Sequence, residues 1–304
     1  GAVGTSRRTW VTVRDTMVLL LIAIGLTPAF KMKFWNIGAE GQILVGGAAT
    51  AALMIYAGDS MPTPVLMILM FVASLAAGMI WGIIPAIFKA YFNTNETLFT
   101  LMLNYVAMQI VTFCIVYWEN PAGSNTVGII NSATRAGWLP ALGGLTYGWN
   151  VLIVLVFTFG MYIYMKYSKQ GYEVAVVGES QDTARYARIN VKRTIIRTMG
   201  ISGGICGIAG FLLVSGASHT ISTSTAGGRG FTAIIVAWLS KFNAFVMILV
   251  SFFLVFMEKG AIQIASQFNL NENASDVITG IILFFILGSE FFIRYRIAFT
   301  KAHK

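Results

Sequence analysis

Apolar residues in this chain come in long unbroken runs, unlike the alternating or one-sided patterns of soluble strands and helices. Runs able to span or re-enter a bilayer occupy residues 17–30, 43–57, 65–88, 98–118, 151–167, 195–214, 231–239, 245–256 and 277–293. A full helical span needs ~20 residues, so several of these are short. The first stops at Lys31-Met32-Lys33, and the seventh at Ser240-Lys241-Phe242-Asn243. Short, glycine-interrupted apolar segments predict broken helices, whose irregular backbone is tolerated at depth only against a cavity or other protein. The fold class expected is all-α, a polytopic transmembrane helical bundle.

Composition strengthens the membrane reading. Hydrophobic residues make up 57% of the 304 positions and charged residues only 11%, against ~25% charged in soluble domains. That is too little charge to cover a soluble surface. The net charge of +9 could suggest nucleic acid in a soluble protein. Here most basic residues flank apolar runs, which makes the charge topological: basic loops stay in the cytoplasm, and no nucleic-acid partner is expected.

The basic residues also orient the chain. Lys166, Lys169, Arg185, Arg188, Lys192, Arg193 and Arg197 mark one loop, about 168–193, as cytoplasmic. The loop of about 119–150 carries Arg135 alone and is expected outside. Arg294, Arg296, Lys301 and Lys304 put the C-terminus inside. Between these anchors, 231–239 and 245–256 form a down-and-up pair turning near Lys241, and 259–276 lies outside. Arg7, Arg8 and Arg14 then come out external, against the rule. A span upstream of Gly1, with residues 9–15 lying along the interface, would reconcile them. The expected total is about ten membrane segments in two halves. Glycine-rich stretches at 36–47 and 227–239 sit at comparable places in the two halves, as in an inverted repeat.

Little in the chain suggests catalysis. No G-x-x-x-x-G-K-[ST] loop or G-x-S-x-G elbow occurs. His219 and His303 lie outside the spans and lack neighbours at metal-ligand spacing; His219, in a Ser/Thr-rich loop, reads as solvated. Cys114 and Cys206 fall inside apolar runs and read as packing residues. The run from Gly200 to Gly210 places Gly200/Gly204 and Gly203/Gly207 four apart inside a span, the small-xxx-small pattern of close helix packing. Glu40 is the main intramembrane ionisable candidate. It could bind backbone amides freed at a helix break, line a substrate route, or sit solvated near Lys31 and Lys33. Asn95 suits a helix N-cap, and Glu96 the first turn beyond it. Asn104 lies deeper, where an amide needs a partner and an interhelical hydrogen bond is the simple expectation. The stretch 178–191 mixes charge with Tyr186, Ala187 and Ile189. It reads as a short exposed helix that either docks into a partner's groove or rests on lipid headgroups.

At these stretches the chain resembles a known family. Phe34-Trp35-Asn36-Ile37-Gly38-Ala39-Glu40-Gly41-Gln42 is similar to the N-I-G-A-E-G-Q signature of permeases in bacterial nucleoside-type ABC importers. These belong to the superfamily that includes ribose and branched-chain amino-acid permeases. Asn95-Glu96-Thr97 through Leu101-Met102-Leu103-Asn104-Tyr105 resembles its N-E-x-x-x-T-x-M-L-N-Y stretch. The cytoplasmic loop resembles A-A-R-Y-A-G-I-N, residues 202–210 resemble S-G-x-x-x-G-x-A-G, and Gly230-Phe231-Thr232-Ala233-Ile234 matches G-F-x-x-I. The chain departs from the family with Arg188 for a usual Gly, Thr183 for a frequent Ala, and Phe34-Trp35 before Asn36.

The resemblance implies a single transmembrane permease domain over 1–304, in the bacterial inner membrane, that is not itself an enzyme. It implies ABC ATPase subunits that bind ATP and Mg, a second and usually different permease, and an external substrate-binding lipoprotein. The chain itself would hold no cofactor and no metal. The substrate path would involve Asn36, Glu40, Gln42, Asn104 and Phe231, and the substrate would be a nucleoside. Glu179, Asp182, Arg185, Tyr186 and Ile189 would couple to the ATPase. The competing readings are a permease for a ribose-like sugar or a branched-chain amino acid, or an ion-coupled secondary transporter with Glu40 as its ion site.

Overall fold

The computed structural model describes residues 4–268 together with 277–282, 284, 285, 288 and 289. Its named elements are helices: α1 (Ser6–Lys31), α2 (Ala39–Ala57), α3 (Thr63–Phe92), α4 (Glu96–Trp118), α5 (Gly148–Tyr167), α6 (Lys169–Glu179), α7 (Gln181–Tyr186), α8 (Val191–Leu213), α9 (Arg229–Leu239) and α10 (Ala244–Gln267). A π-turn at Val214–Ser218 prolongs α8. Among the described residues, six helices are long and apolar enough to cross a membrane: α1, α3, α4, α5, α8 with its π-turn, and α10. The chain divides into two compact units. One comprises the described residues of 1–12 and 252–304, where Arg8 donates to Gln263. The other is Val13–Ser251, which holds the sites described below.

Within the larger unit, α8 is buried almost throughout, and α3, α4 and α5 are largely exposed. Ile68, Phe113 and Phe159 show large apolar surface, the pattern of helices whose outer faces meet lipid. Glycine makes the interior possible. A Cβ added to Gly46 of α2 would lie 2.5 Å from the Gly207 Cα of α8, and one on Gly78 of α3 would lie 2.7 Å from the same atom. Lipid tails are as apolar as leucine, so burial gives little drive to associate, and close backbone contact supplies the dispersion that holds such helices together. The glycine pairing predicted for packing is therefore present, with Gly203 and Gly207 on the α3 seam.

Side-chain caps fix where the helices begin. Asn95 accepts from the Thr97 and Leu98 amides at the start of α4, at 3.0 and 3.2 Å. Glu96 in that first turn pairs with Lys89 at 2.8 Å. Ser168, Ser180 and Asn190 cap α6, α7 and α8. The short helices α6 and α7 are anchored by an apolar cluster of Met32, Phe34, Val174, Val177, Ala184 and Ile195, with further members beside them.

Several expectations change. The run 17–30 is part of a 26-residue helix, and residues 9–15 continue it without a break, so they do not form a separate interfacial segment. Thr12, Asp15 and Thr16 are buried; these interior polar residues broke the apolar pattern that a lipid-facing span would show. The loop expected from 259 is helical through Gln267, because Glu258 and Lys259 interrupt a pattern that resumes with Ala261, Ile262 and Ile264. The basic C-terminus and His303 lie outside the described residues.

Candidate functional site

Two helix beginnings meet inside the larger unit. After α1, Lys33 adopts a left-handed conformation, φ 59°, and the Lys33 and Phe34 amides close the helix on the Phe30 and Ala29 carbonyls. The next residues are irregular up to α2. Irregular backbone leaves amides and carbonyls without helical partners, which is costly away from water. Polar side chains of α4 supply those partners here. Thr100 Oγ1 accepts from the Ile37 amide at 3.2 Å. Asn104 accepts from the Gly41 amide at 2.8 Å and donates to the Ile37 carbonyl at 2.9 Å. Asn36 folds back to accept from the Gly38 amide at 3.0 Å. Its amide exchanges hydrogen bonds with Gln42 at 3.3 and 3.4 Å and donates to Ser202 at 3.4 Å.

Glu40 joins this break to a second one. Its carboxylate accepts from the Gly228 amide at 2.5 Å and the Gly230 amide at 3.0 Å, at the N-terminus of α9. Gly228 itself is left-handed, φ 74°, a conformation glycine takes without steric cost. A Cβ on Gly230 would lie 2.7 Å from the Glu40 nitrogen. A helix N-terminus carries unsatisfied amides and roughly half a positive charge. Glu40 sits in the first turn of α2 and caps α9, so one carboxylate serves two positive helix ends. α9 has 11 residues, ~16 Å at 1.5 Å each, about half a bilayer.

Beside this junction lies a cavity of about 250 Å³ whose lining includes Arg14, Asp15, Ser222, Ser224, Thr225 and Arg229. Arg14 binds Asp15 at 2.8 Å, and Arg229 approaches the same carboxylate at 4.0 Å. Ser222 and Ser224 share a hydrogen bond of 3.0 Å, and Thr225 Oγ1 accepts from the Ser222 amide at 2.8 Å. Planar charged groups beside several hydroxyls can exchange hydrogen bonds with a neutral, polyhydroxylated solute. Nearby, His219 stacks on Trp138 with ring centroids 3.8 Å apart. It is half-buried, a correction to the solvated reading, and burial pushes its imidazole pKa below the usual value.

The expected path residues therefore divide. Asn36, Gln42 and Asn104 are buried and bonded to the break, and Glu40 is occupied by α9. Phe231, in the first turn of α9, is 43% exposed. An aromatic set the sequence did not single out stands at the other end of α9: Trp35 stacks on Trp238 with centroids 5.4 Å apart, and Phe30 meets both edge-on. The sequence reading also passed over Asp15 and Arg229. Both are charged residues in or beside apolar helices, a signal that became readable only once residues 9–15 joined α1.

Of the expected coupling residues, Glu179 ends α6 exposed. Asp182 and Arg185 pair at 3.2 Å on the surface of α7, and Tyr186 is 91% exposed. Ile189 instead packs partly buried against the apolar cluster. The apolar patch on this surface is accordingly Tyr186 without Ile189. A tyrosine standing almost free in water has no role in packing this chain.

The family described as branched-chain amino acid transport system, permease component, matches residues 11–287. A glucose ABC transporter permease protein of Haloferax volcanii is 28% identical, over 92% of this chain and 76% of its own. A guanosine ABC transporter permease protein of Bacillus subtilis is 29% identical, over 91% and 80%. A nucleoside ABC transporter permease protein of Lactococcus lactis is 26% identical, over 100% and 85%. No solved structure matches. Helices able to cross a membrane, a break supported by buried amides, and a family match over most of the length agree: this chain belongs to the permease-component family of branched-chain amino acid transport systems and is a transport subunit, not an enzyme.

Proposed function

We propose that this chain is the membrane-spanning permease of an ATP-driven ABC importer, and that its substrate is a nucleoside. The observation that carries the substrate class is the hydroxyl-lined cavity at the Glu40 junction. At about 250 Å³ it is smaller than the ~300–1,000 Å³ pockets that hold drug-sized ligands, so it suits one sugar ring with the base lying outside. A sugar ring is common to a nucleoside and to glucose, the substrates named for the relatives. A free sugar is accordingly the second reading.

In the proposed mechanism the cationic end, carrying α6 and α7, faces the cytoplasm. There it meets ATPase subunits that bind ATP and Mg; an external lipoprotein delivers substrate, and a second permease completes the path. Glu179, Asp182, Arg185 and Tyr186 form the surface that docks into the ATPase. The apolar cluster fastens α6 and α7 to the ends of α1 and α3 and the start of α8, so a push on Tyr186 would reach the membrane helices as a rigid displacement. The junction of α2 and α9, one break from each half, supports a plan of about ten segments with an inverted repeat, in which such breaks meet near the midplane. Asn36, Gln42 and Asn104 would shape the path by holding the break, while Phe231 and the cavity hydroxyls face the solute.

The test is ATP-dependent uptake by the importer reconstituted with its partner chains. Guanosine uptake should exceed glucose uptake. Ser222→Ala with Thr225→Ala should lower uptake about tenfold, the equivalent of one or two hydrogen bonds. Glu179→Arg with Tyr186→Ala should abolish it while the binding protein still docks. Uptake driven by an ion gradient without ATP would refute the importer, and glucose uptake exceeding guanosine would transfer the assignment to sugars.

A further inference from the structure

A second cavity, of about 490 Å³, lies between the ends of α1 and α5 and the α9–α10 turn. Three lysines line it, one from each element: Lys31, Lys166 and Lys241. Among the described residues that line it there is no carboxylate. Lys166 donates to the Tyr162 hydroxyl at 3.0 Å and stands 5.4 Å from the Tyr162 and Tyr167 ring centres. Lys241 and Phe242 are both left-handed, φ 49° and 61°, a conformation that steric contact with the Cβ disfavours for non-glycine residues. That strained turn carries Lys241 into the wall of the cavity. Asn243 adds an amide beside it, and below the lysines the wall turns apolar with Ile24, Met161 and Met247.

A simpler account has the lysines only complementing the helix C-termini they follow. Charge arithmetic argues against that as their whole role. Three helix C-termini contribute roughly half a negative charge each, whereas three lysines bring three full positive charges. The terminal carbonyls already have backbone partners as well: Lys33 and Phe34 on α1, Ser168 on α5, and Lys241 and Phe242 on α9. A net positive cavity remains, with a cationic rim over an apolar wall.

We propose that this cavity binds the headgroup of an anionic phospholipid, with the phosphate among the three lysines and an acyl chain against the apolar wall. Basic pockets between transmembrane helices at the cytoplasmic face favour such lipids. A free phosphate shares the headgroup's charge but has nothing to set against Ile24, Met161 and Met247.

The importer, purified with its partner chains in mild detergent, is placed in nanodiscs of phosphatidylcholine with or without phosphatidylglycerol. Retained lipid is measured by mass spectrometry and stability as Tm. The intact protein should retain phosphatidylglycerol about tenfold over its bulk share, at ~1 kcal/mol per lysine less the opposing dipoles, and Tm should rise with it. Lys31→Gln, Lys166→Gln and Lys241→Gln together should abolish both effects, with Tm in pure phosphatidylcholine unchanged. The matching triple arginine variant should keep both effects, which separates loss of charge from loss of fold. Equal retention by the glutamine variant would overturn the proposal, as would the same rise in Tm from inorganic phosphate in pure phosphatidylcholine.

Discussion

Glu40 is the residue on which the two breaks depend, since its two oxygens take two amides that no helix partner can satisfy. In Glu40→Gln one of those amides would face an NH₂ group, and an unpaired buried donor costs about 1–3 kcal/mol. Tm of the detergent-purified importer should therefore fall, and Glu40→Ala should lower it further; an unchanged Tm for both would mean the carboxylate does not hold α9. His219 makes a separate prediction. Burial lowers its folded pKa below the ~6.5 of the unfolded chain, so below about pH 6.5 the unfolded state binds more protons. The stability tied to keeping the half-buried imidazole neutral is then complete above that pH and declines as pH falls toward the lower folded value. The partial exposure of His219 keeps the effect to about 1 kcal/mol or less. Tm measured at pH 7.5 and 5.5 should show the loss, and His219→Gln should remove it. The part of this chemistry visible in the sequence was the need of Glu40 and Asn104 for partners. Which partners they take was not visible, because Gly228 is 188 positions from Glu40.

Among the elements, α8 shows why apolar periodicity alone misleads in a membrane bundle. Its 195–214 run looks like those of α3 or α5, yet it is buried on nearly all sides while they are not. The difference lies in its glycines, which let α2 and α3 approach to backbone contact. At Gly207 a methyl group would strike the Ser74 carbonyl, while at Gly200 it would meet the flexible Ile83 side chain at 3.3 Å. Gly207→Ala should destabilise by about 1–3 kcal/mol through overpacking. Gly200→Ala should be neutral or stabilising, since alanine favours a helix by about 1 kcal/mol over glycine. Comparing folded yields and Tm of the two variants tests whether the seam runs where it is drawn. The sequence made both glycine pairs legible as packing residues. It could not rank them, because the deciding atoms belong to another helix.

For the molecule as a whole, the basic residues predict a sidedness, and the geometry supplies two surfaces on which to test it. Tyr186 on α7 is almost fully exposed, and Ser124, in the loop between α4 and α5, is reachable through its neighbours Gly123 and Asn125. About 30 Å of α5 separates the two loops, from 20 residues at 1.5 Å each, a distance that matches the hydrocarbon core. Lysine and arginine are costly to translocate, and the segment from Lys166 to Arg197 holds seven of them, against Arg135 alone in the loop of about 119–150. The native thiols suit a labelling experiment: Cys206 is buried, and Cys114 lies partly buried on α4, so replacing both by alanine removes background at small cost. In that background Tyr186→Cys should react with a membrane-impermeant maleimide only in inverted vesicles, and Ser124→Cys only in intact cells. The reverse pattern would place α6 and α7 outside, where no ATP is available to drive them. Docking to an ATPase would then be physically impossible, whatever the resemblance in sequence.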